Sequence, residues 1–102
     1  TLYEALGVEN SKKAFVHYPA DTWPGQTKVL EDNTHFNPYG GYQIAKCVIT
    51  GLRNLQRQGF QLDFLKYLSS DFVPYSPSMP DPMKSFKWNP SPFTEMEKPE
   101  GI

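Results

Sequence analysis

Apolar positions recur at helical spacing over one long stretch of the chain. Ala45, Val48, Leu52 and Leu55 follow one another at intervals of three, four and three, with Ile44 and Ile49 on the flanks. That is the period of one helix face. The ends of the stretch carry matching signals. Asn37 can accept hydrogen bonds from free backbone amides as an N-cap, Pro38 suits the first helical position, and Gly59 stands where a C-terminal glycine belongs. The pattern predicts a helix from Pro38 to about Gln58, roughly 30 Å long at ~1.5 Å per residue, with its apolar stripe buried. Gly40, Gly41 and Gly51 each weaken helix propensity by about 1 kcal/mol relative to alanine, so they read as places where another backbone comes close.

Elsewhere the pattern is shorter. Leu2 to Leu6 followed by Gly7 reads as the last turns of a helix with a glycine just past its end. Ala14 to Tyr18 is β-prone and bounded by Lys12, Lys13 and Pro19, which predicts a short edge strand or an extended lead-in. From Pro19 to Thr34 the prolines, Gly25, Asp21, Asp32 and Asn33 predict loop. Leu62, Leu65 and Leu68 predict a second, shorter amphipathic helix. Beyond Ser69, prolines alternate with Phe72, Tyr75, Phe86, Trp88 and Phe93. Seven of the ten prolines lie from Pro74 onward, so this third supplies no long helix or central strand. We expect residues 69–102 to form an aromatic strap that wraps over residues 1–68.

Composition narrows the function classes. A length of 102 residues fits one small domain, and a formal charge of -1 without any long basic block argues against a nucleic-acid partner. No apolar run approaches the ~20 residues of a bilayer span, and Thr1 to Gly7 lack the segments of a signal peptide, so no membrane partner is expected. The single Cys47 excludes an internal disulfide and reads as a buried, inert thiol. The chain opens on Thr1 rather than Met, directly on a helix-like run. We therefore expect a segment of a longer protein.

The chemistry is concentrated in the run from Asp32 through Asn33, Thr34, His35, Phe36, Asn37, Pro38, Tyr39, Gly40, Gly41, Tyr42, Gln43 and Ile44 to Ala45. Asp32 and His35 lie three apart just before the helix start, a spacing at which a carboxylate reaches Nδ1 of the imidazole. An imidazole so held presents Nε2 as a general base toward a hydroxyl, and the carboxylate stabilises the imidazolium that results. An acid and a histidine three apart also occur by chance, with the acid capping a turn and the histidine in solvent. His17 with Asp32 and His35 has the makeup of a two-histidine, one-carboxylate metal site, but no further ligand cluster accompanies it, so no metal and no cofactor are expected. Trp23, in the loop just upstream, is a candidate for stacking on a sugar ring, whereas Trp88 reads as packing for the strap.

The run from Asp32 to Ala45 resembles the last block of the SGNH/GDSL hydrolases, and within them the rhamnogalacturonan acetylesterase-like members. The similarity extends from Leu2 through the C-terminal helix to the Pro80, Asp81, Pro82 and Phe86 ending. It implies that His35 and Asp32 complete a Ser-His-Asp triad. It also implies a three-layer α/β/α, flavodoxin-like domain of which this chain is a C-terminal part, mostly helical and irregular, and a secreted or periplasmic setting. The family's nucleophile sits in an upstream Gly-Asp-Ser word, and its oxyanion donors are the amide of that serine, a later glycine and an asparagine. No such word occurs here, and Ser11, Ser69, Ser70, Ser76, Ser78, Ser85 and Ser91 all lack that context.

The expectation is thus the His-Asp part of a carbohydrate O-acetyl esterase, inactive alone, with a polysaccharide acetyl ester as the substrate of the longer protein. Its partner would be the missing N-terminal part of the same domain or another copy of the chain. The alternative is a non-catalytic module that binds carbohydrate or a partner chain through its aromatics.

Overall fold

Among the described residues, two α-helices, one short 3₁₀ helix and a two-stranded antiparallel sheet make up the regular structure, a mixed α/β arrangement. The computed structural model describes residues 1–73 and 76–87. In chain order these are α1 (Leu2–Lys12), β1 (Phe15–Tyr18), β2 (Leu30–Phe36), α2 (Pro38–Arg57) and a 3₁₀ helix (Asp63–Tyr67). Trp88, Phe93 and the last three prolines of the expected strap lie outside the described residues.

Gly7 does adopt the positive φ that suits a glycine past a helix end, at 77° with ψ 171°. The chain then turns helical again as far as Lys12, so α1 is two helical pieces across a break rather than one that stops. Ser11 Oγ spans the break, donating to the carbonyl of Gly7 at 2.7 Å. The β-prone run becomes β1. The Pro19 to Thr34 stretch is loop only up to Val29, because Leu30 to Phe36 pairs with β1 as β2. Turn-forming residues had hidden that strand, since Asp32 and Asn33 sit where its pairing is interrupted. Inside the remaining loop, buried Gln26 replaces a ladder. Its Nε2 donates to the carbonyls of Pro19 and Lys28 and its Oε1 accepts from the Trp23 amide.

α2 begins and ends close to the positions its caps predict. The Asn37 side chain accepts from the Gly40 amide at 2.9 Å and Pro38 occupies the first turn. Within the described residues the apolar stripe is left uncovered. Val48 is 56% exposed, Ala45 and Leu55 are also exposed, and Leu52 is half-buried. What is buried is a second face at the same helical spacing, formed by Tyr39, Gln43 and Lys46. The reason lies far along the chain. Asp81 Oδ2 accepts from Lys46 Nζ at 2.6 Å and from Gln43 Nε2 at 2.8 Å, while its backbone carbonyl accepts from the Tyr39 hydroxyl at 2.6 Å. Its amide in turn donates to Gln43 Oε1 at 3.2 Å. A carboxylate and an ammonium taken out of water persist when their remaining hydrogen-bonding capacity is met in this way. Phe86 closes the clasp against the rings of Tyr39 and Tyr42. Asp81 and Phe86 thus lie against α2. Burial, and secondarily the charge of Asp81, pushes the Tyr39 phenol above its ordinary value.

Among the described residues, the buried apolar ones are Leu2, Ala14, Val16 and Tyr39, gathered where α1, β1 and the start of α2 meet. A row of rings, Tyr3 to Phe15 to Phe36, extends this cluster along the sheet. Such a core is small for the length, and the aliphatic residues between Tyr42 and Leu68 do not form it. Of the three helix glycines, only Gly40 sits against another backbone, that of Ala14. Around Gly41 and Gly51 there is open space. The second amphipathic helix is a single 3₁₀ piece with Phe64 and Tyr67 exposed. Cys47 is half-buried rather than buried, and desolvation raises its thiol above the usual range. Among the described residues, no helix is long and apolar enough to cross a membrane.

Candidate active site

The site is made by an irregularity in the sheet. Phe15 pairs with Phe36, yet the next residue of β1, Val16, pairs with Asp32. While β1 advances by one residue, β2 advances by four, so Asn33, Thr34 and His35 loop out without partners across the ladder. This is a wide form of β-bulge, a device that re-aims side chains at the edge of a sheet.

Asp32 organises the loop from within. One carboxylate oxygen, Oδ1, accepts from the Thr34 amide at 2.7 Å and the His35 amide at 2.9 Å. This leaves Oδ2 to meet His35 Nδ1 at 2.7 Å. The spacing of three works because the chain folds back on the carboxylate, an Asx-type turn, rather than because the pair lies on a helix. An ionised carboxylate only accepts, so Nδ1 carries the hydrogen and the neutral ring keeps its lone pair on Nε2. His35 is 60% exposed at its side chain, and Nε2 has no hydrogen-bond partner among the described residues. The arrangement is an oriented imidazole whose basic nitrogen faces outward.

Immediately downstream, Asn37 fastens the turn to the body. Its Nδ2 donates to the carbonyls of Lys13 at 2.6 Å and Phe15 at 3.0 Å, and its amide donates to the carbonyl of Ala14. The cap reading accounts only for the bond that Asn37 accepts from the Gly40 amide. The cross-chain bonds that tie β1, β2 and α2 together carry no signal in the local sequence.

The charge state of Asp32 follows from its donors. The His35 amide first, then the Thr34 amide and the imidazole, stabilise the carboxylate and lower its pKa from 3.8 to about 2. Because the folded value lies below the unfolded one, this stabilisation is fully present above about pH 4 and is lost as the pH falls through about 2. We expect the Asp32 carboxyl carbon to titrate near pH 2 in an NMR series. His35→Ala should leave most of that depression in place, since the two leading donors are backbone amides. A midpoint near the ordinary value in the wild-type chain would refute the turn.

His17 lies on β1, and its Nε2 is 2.7 Å from Asn33 Oδ1. It therefore does not join Asp32 and His35 in one cluster. Among the described residues, no group of three histidine, cysteine or acidic side chains is close enough to hold a metal ion. Trp23 is half-buried, stands edge-on to Tyr18 at 5.7 Å, and has a buried indole nitrogen without a partner among the described residues. None of its ring or hydrogen-bond contacts involves Asp32 or His35. The serines that bond do so locally: Ser11 to Gly7, Ser69 to Asp71, Ser76 to Ser78 and Ser85 to Pro82. No described serine hydrogen-bonds His35.

Rhamnogalacturonan acetylesterase RhgT of Bacillus subtilis (strain 168) is 43% identical to the chain over 54 residues. That match takes in 53% of this chain and 23% of the relative. The chain thus shares an origin with a carbohydrate esterase over about half its length, and it spans under a quarter of that relative. No family profile matches the chain, and no solved structure matches it.

Proposed function

We propose that the chain contributes the histidine and acid of a Ser-His-Asp triad to a carbohydrate O-acetyl esterase of the SGNH/GDSL type, with the nucleophilic serine and oxyanion donors supplied from outside these residues. The observation that carries the reading is the 2.7 Å contact from Asp32 Oδ2 to His35 Nδ1, made in an exposed turn that leaves Nε2 free of described partners. The partial identity to a rhamnogalacturonan acetylesterase points the same way and suggests an acetylated pectic polysaccharide as substrate.

In this reading the serine hydroxyl gives its proton to His35 Nε2 as its oxygen bonds to the acetyl carbonyl carbon. The carbonyl electrons collect on an oxyanion. Collapse expels the sugar oxygen, which takes the proton from Nε2, and leaves an acetyl-serine. Water repeats the sequence, with His35 again as base, and releases acetate. Asp32 remains ionised throughout, keeping the hydrogen on Nδ1 and stabilising the imidazolium. Its low pKa ensures that state at any neutral or mildly acidic pH.

We further propose that residues 1–68 belong to a three-layer α/β/α, flavodoxin-like domain and that residues 69–102 strap onto it. The exposed Ala45, Val48 and Leu55 face of α2 would be covered by the rest of that domain or by another copy of the chain. A serine-directed fluorophosphonate tests the division of labour. The longer protein should be labelled on one serine outside these 102 residues, whereas the chain alone should not be labelled and should release acetate no faster than free imidazole. Labelling of a serine within the chain would sink the proposal. A non-catalytic binding module predicts no labelling in either case.

A further inference from the structure

We propose that His17 is a positioning residue for the catalytic pair: by holding Asn33 at the crest of the β2 bulge, it fixes the turn in which Asp32 and His35 meet. The inference rests on the reading of that pair as part of a triad.

The bonds within the turn leave one degree of freedom unsettled. The Asp32 carboxylate joins the amides of Thr34 and His35 and the imidazole, so it sets the ring relative to the turn. It does not set the turn relative to the sheet. At the base of the bulge, Val16 pairs with Asp32 on one side, and Phe36 and Asn37 are held to Phe15, Ala14 and Lys13 on the other. Asn33, Thr34 and His35 lie between these anchors and could swing about them as a flap. The side-chain hydrogen bond that ties this flap back to β1 runs between His17 and Asn33, at 2.7 Å.

The chemistry of that bond is directional. The Asn33 amide oxygen only accepts, so His17 Nε2 carries the hydrogen, and this holds whether or not the ring is charged. His17 is half-buried on a paired strand, a rigid base, while Asn33 is exposed and has little else to hold it. Only Thr34 separates Asn33 from His35, so a tilt of the crest swings Nε2 sideways. A misplacement of about 1 Å between reacting groups can cost a factor of about 10² in rate.

The experiment uses the longer, serine-bearing protein and this chain in parallel. In the longer protein, His17→Ala and Asn33→Ala should each lower kcat on an acetyl ester by about 10- to 100-fold, with KM within about twofold. The double variant should be no slower than the worse single one, since both remove the same tether. His17→Gln, whose amide nitrogen can donate to Asn33, should recover most of the rate. In the isolated chain, the backbone order parameters of Asn33, Thr34 and His35 are read by nitrogen relaxation. They should match the flanking strand in the wild type, fall in both alanine variants and recover in His17→Gln. Unchanged kcat in Asn33→Ala, which removes only an exposed side chain, or losses that multiply in the double variant, would overturn the proposal. So would order parameters at Asn33 to His35 that move in neither alanine variant. If the longer protein proved to have no esterase activity, the triad reading itself would fall, and the relaxation measurement would still decide whether the tether holds the turn.

Discussion

His35→Ala in the longer protein should reduce kcat/KM for an acetylated polysaccharide by about 10⁴- to 10⁶-fold, the loss seen when a triad base is removed. The change deletes the group that takes the serine proton in the proposed mechanism. KM should move little, because an imidazole that exchanges a proton with the nucleophile is used in the transition state rather than in ground-state binding. Asp32→Asn provides a graded companion. Its amide oxygen can still accept from the Thr34 and His35 amides, so the turn should survive. The amide nitrogen would then face Nδ1 and favour the tautomer with its hydrogen on Nε2, where no proton can be accepted. A loss of about 10⁴-fold with normal folding is expected, as for other acids that orient a histidine. Full activity in either variant, measured as acetate release, would remove the catalytic reading of the pair.

The second large effect is on stability. A Cβ added at Gly40 would lie 1.9 Å from the carbonyl oxygen of Ala14 and 2.8 Å from its carbon. Both obstacles are backbone, so no side chain can swing aside. The first turn of α2 would have to back away, yet Asn37 in that turn holds Ala14, Lys13 and Phe15 by three hydrogen bonds. Gly40→Ala is expected to cost about 3 kcal/mol, the upper end of ordinary overpacking. That corresponds to a fall of roughly 12 to 24 °C in Tm for a chain of this size. Gly51→Ala is the control. Its Cβ would meet nothing within 4 Å, and the gain in helix propensity should raise stability by up to about 1 kcal/mol. Thermal melts of the two variants moving in the same direction would contradict the close approach of α2 to the end of α1.

The two effects connect stability to chemistry through the same residues. Asn37 caps α2, fastens it to the strand beside it, and ends the bulge that carries His35. A change that loosens Asn37 should therefore disturb the active turn before the rest of the chain unfolds. The glycine at position 40 permits that junction by leaving room for a carbonyl.

Several elements were legible because their causes lie within a few residues of one another. α2 was bounded by an Asn-Pro start and a glycine just past its end, and capping is decided by neighbours three or four positions away. β1 showed as a short run of β-formers between breakers. The meeting of Asp32 with His35 was also local, although its geometry is a carboxylate-centred turn in a bulged strand rather than a helical turn. β2 was missed for the same reason. The residues that interrupt its pairing are the turn-formers that make a strand look like loop. α2 carries two stripes at helical spacing, and the polar one was not legible. Tyr39, Gln43 and Lys46 are buried since Asp81, far along the chain, arrives to pair with the latter two.

The sequence by itself determined the helix and its cap, the short strand, and an acid placed to orient a histidine, because hydrogen bonds between near neighbours are set by spacing and side-chain type. Only the tertiary structure decided that Gly40 lies under Ala14, that Asp81 clasps the polar side of α2, and that His17 meets Asn33 beside the Asp32–His35 turn. Those contacts join residues 16 to 38 positions apart, where nothing in local propensity specifies the partner and only the folded path of the backbone brings the groups within reach.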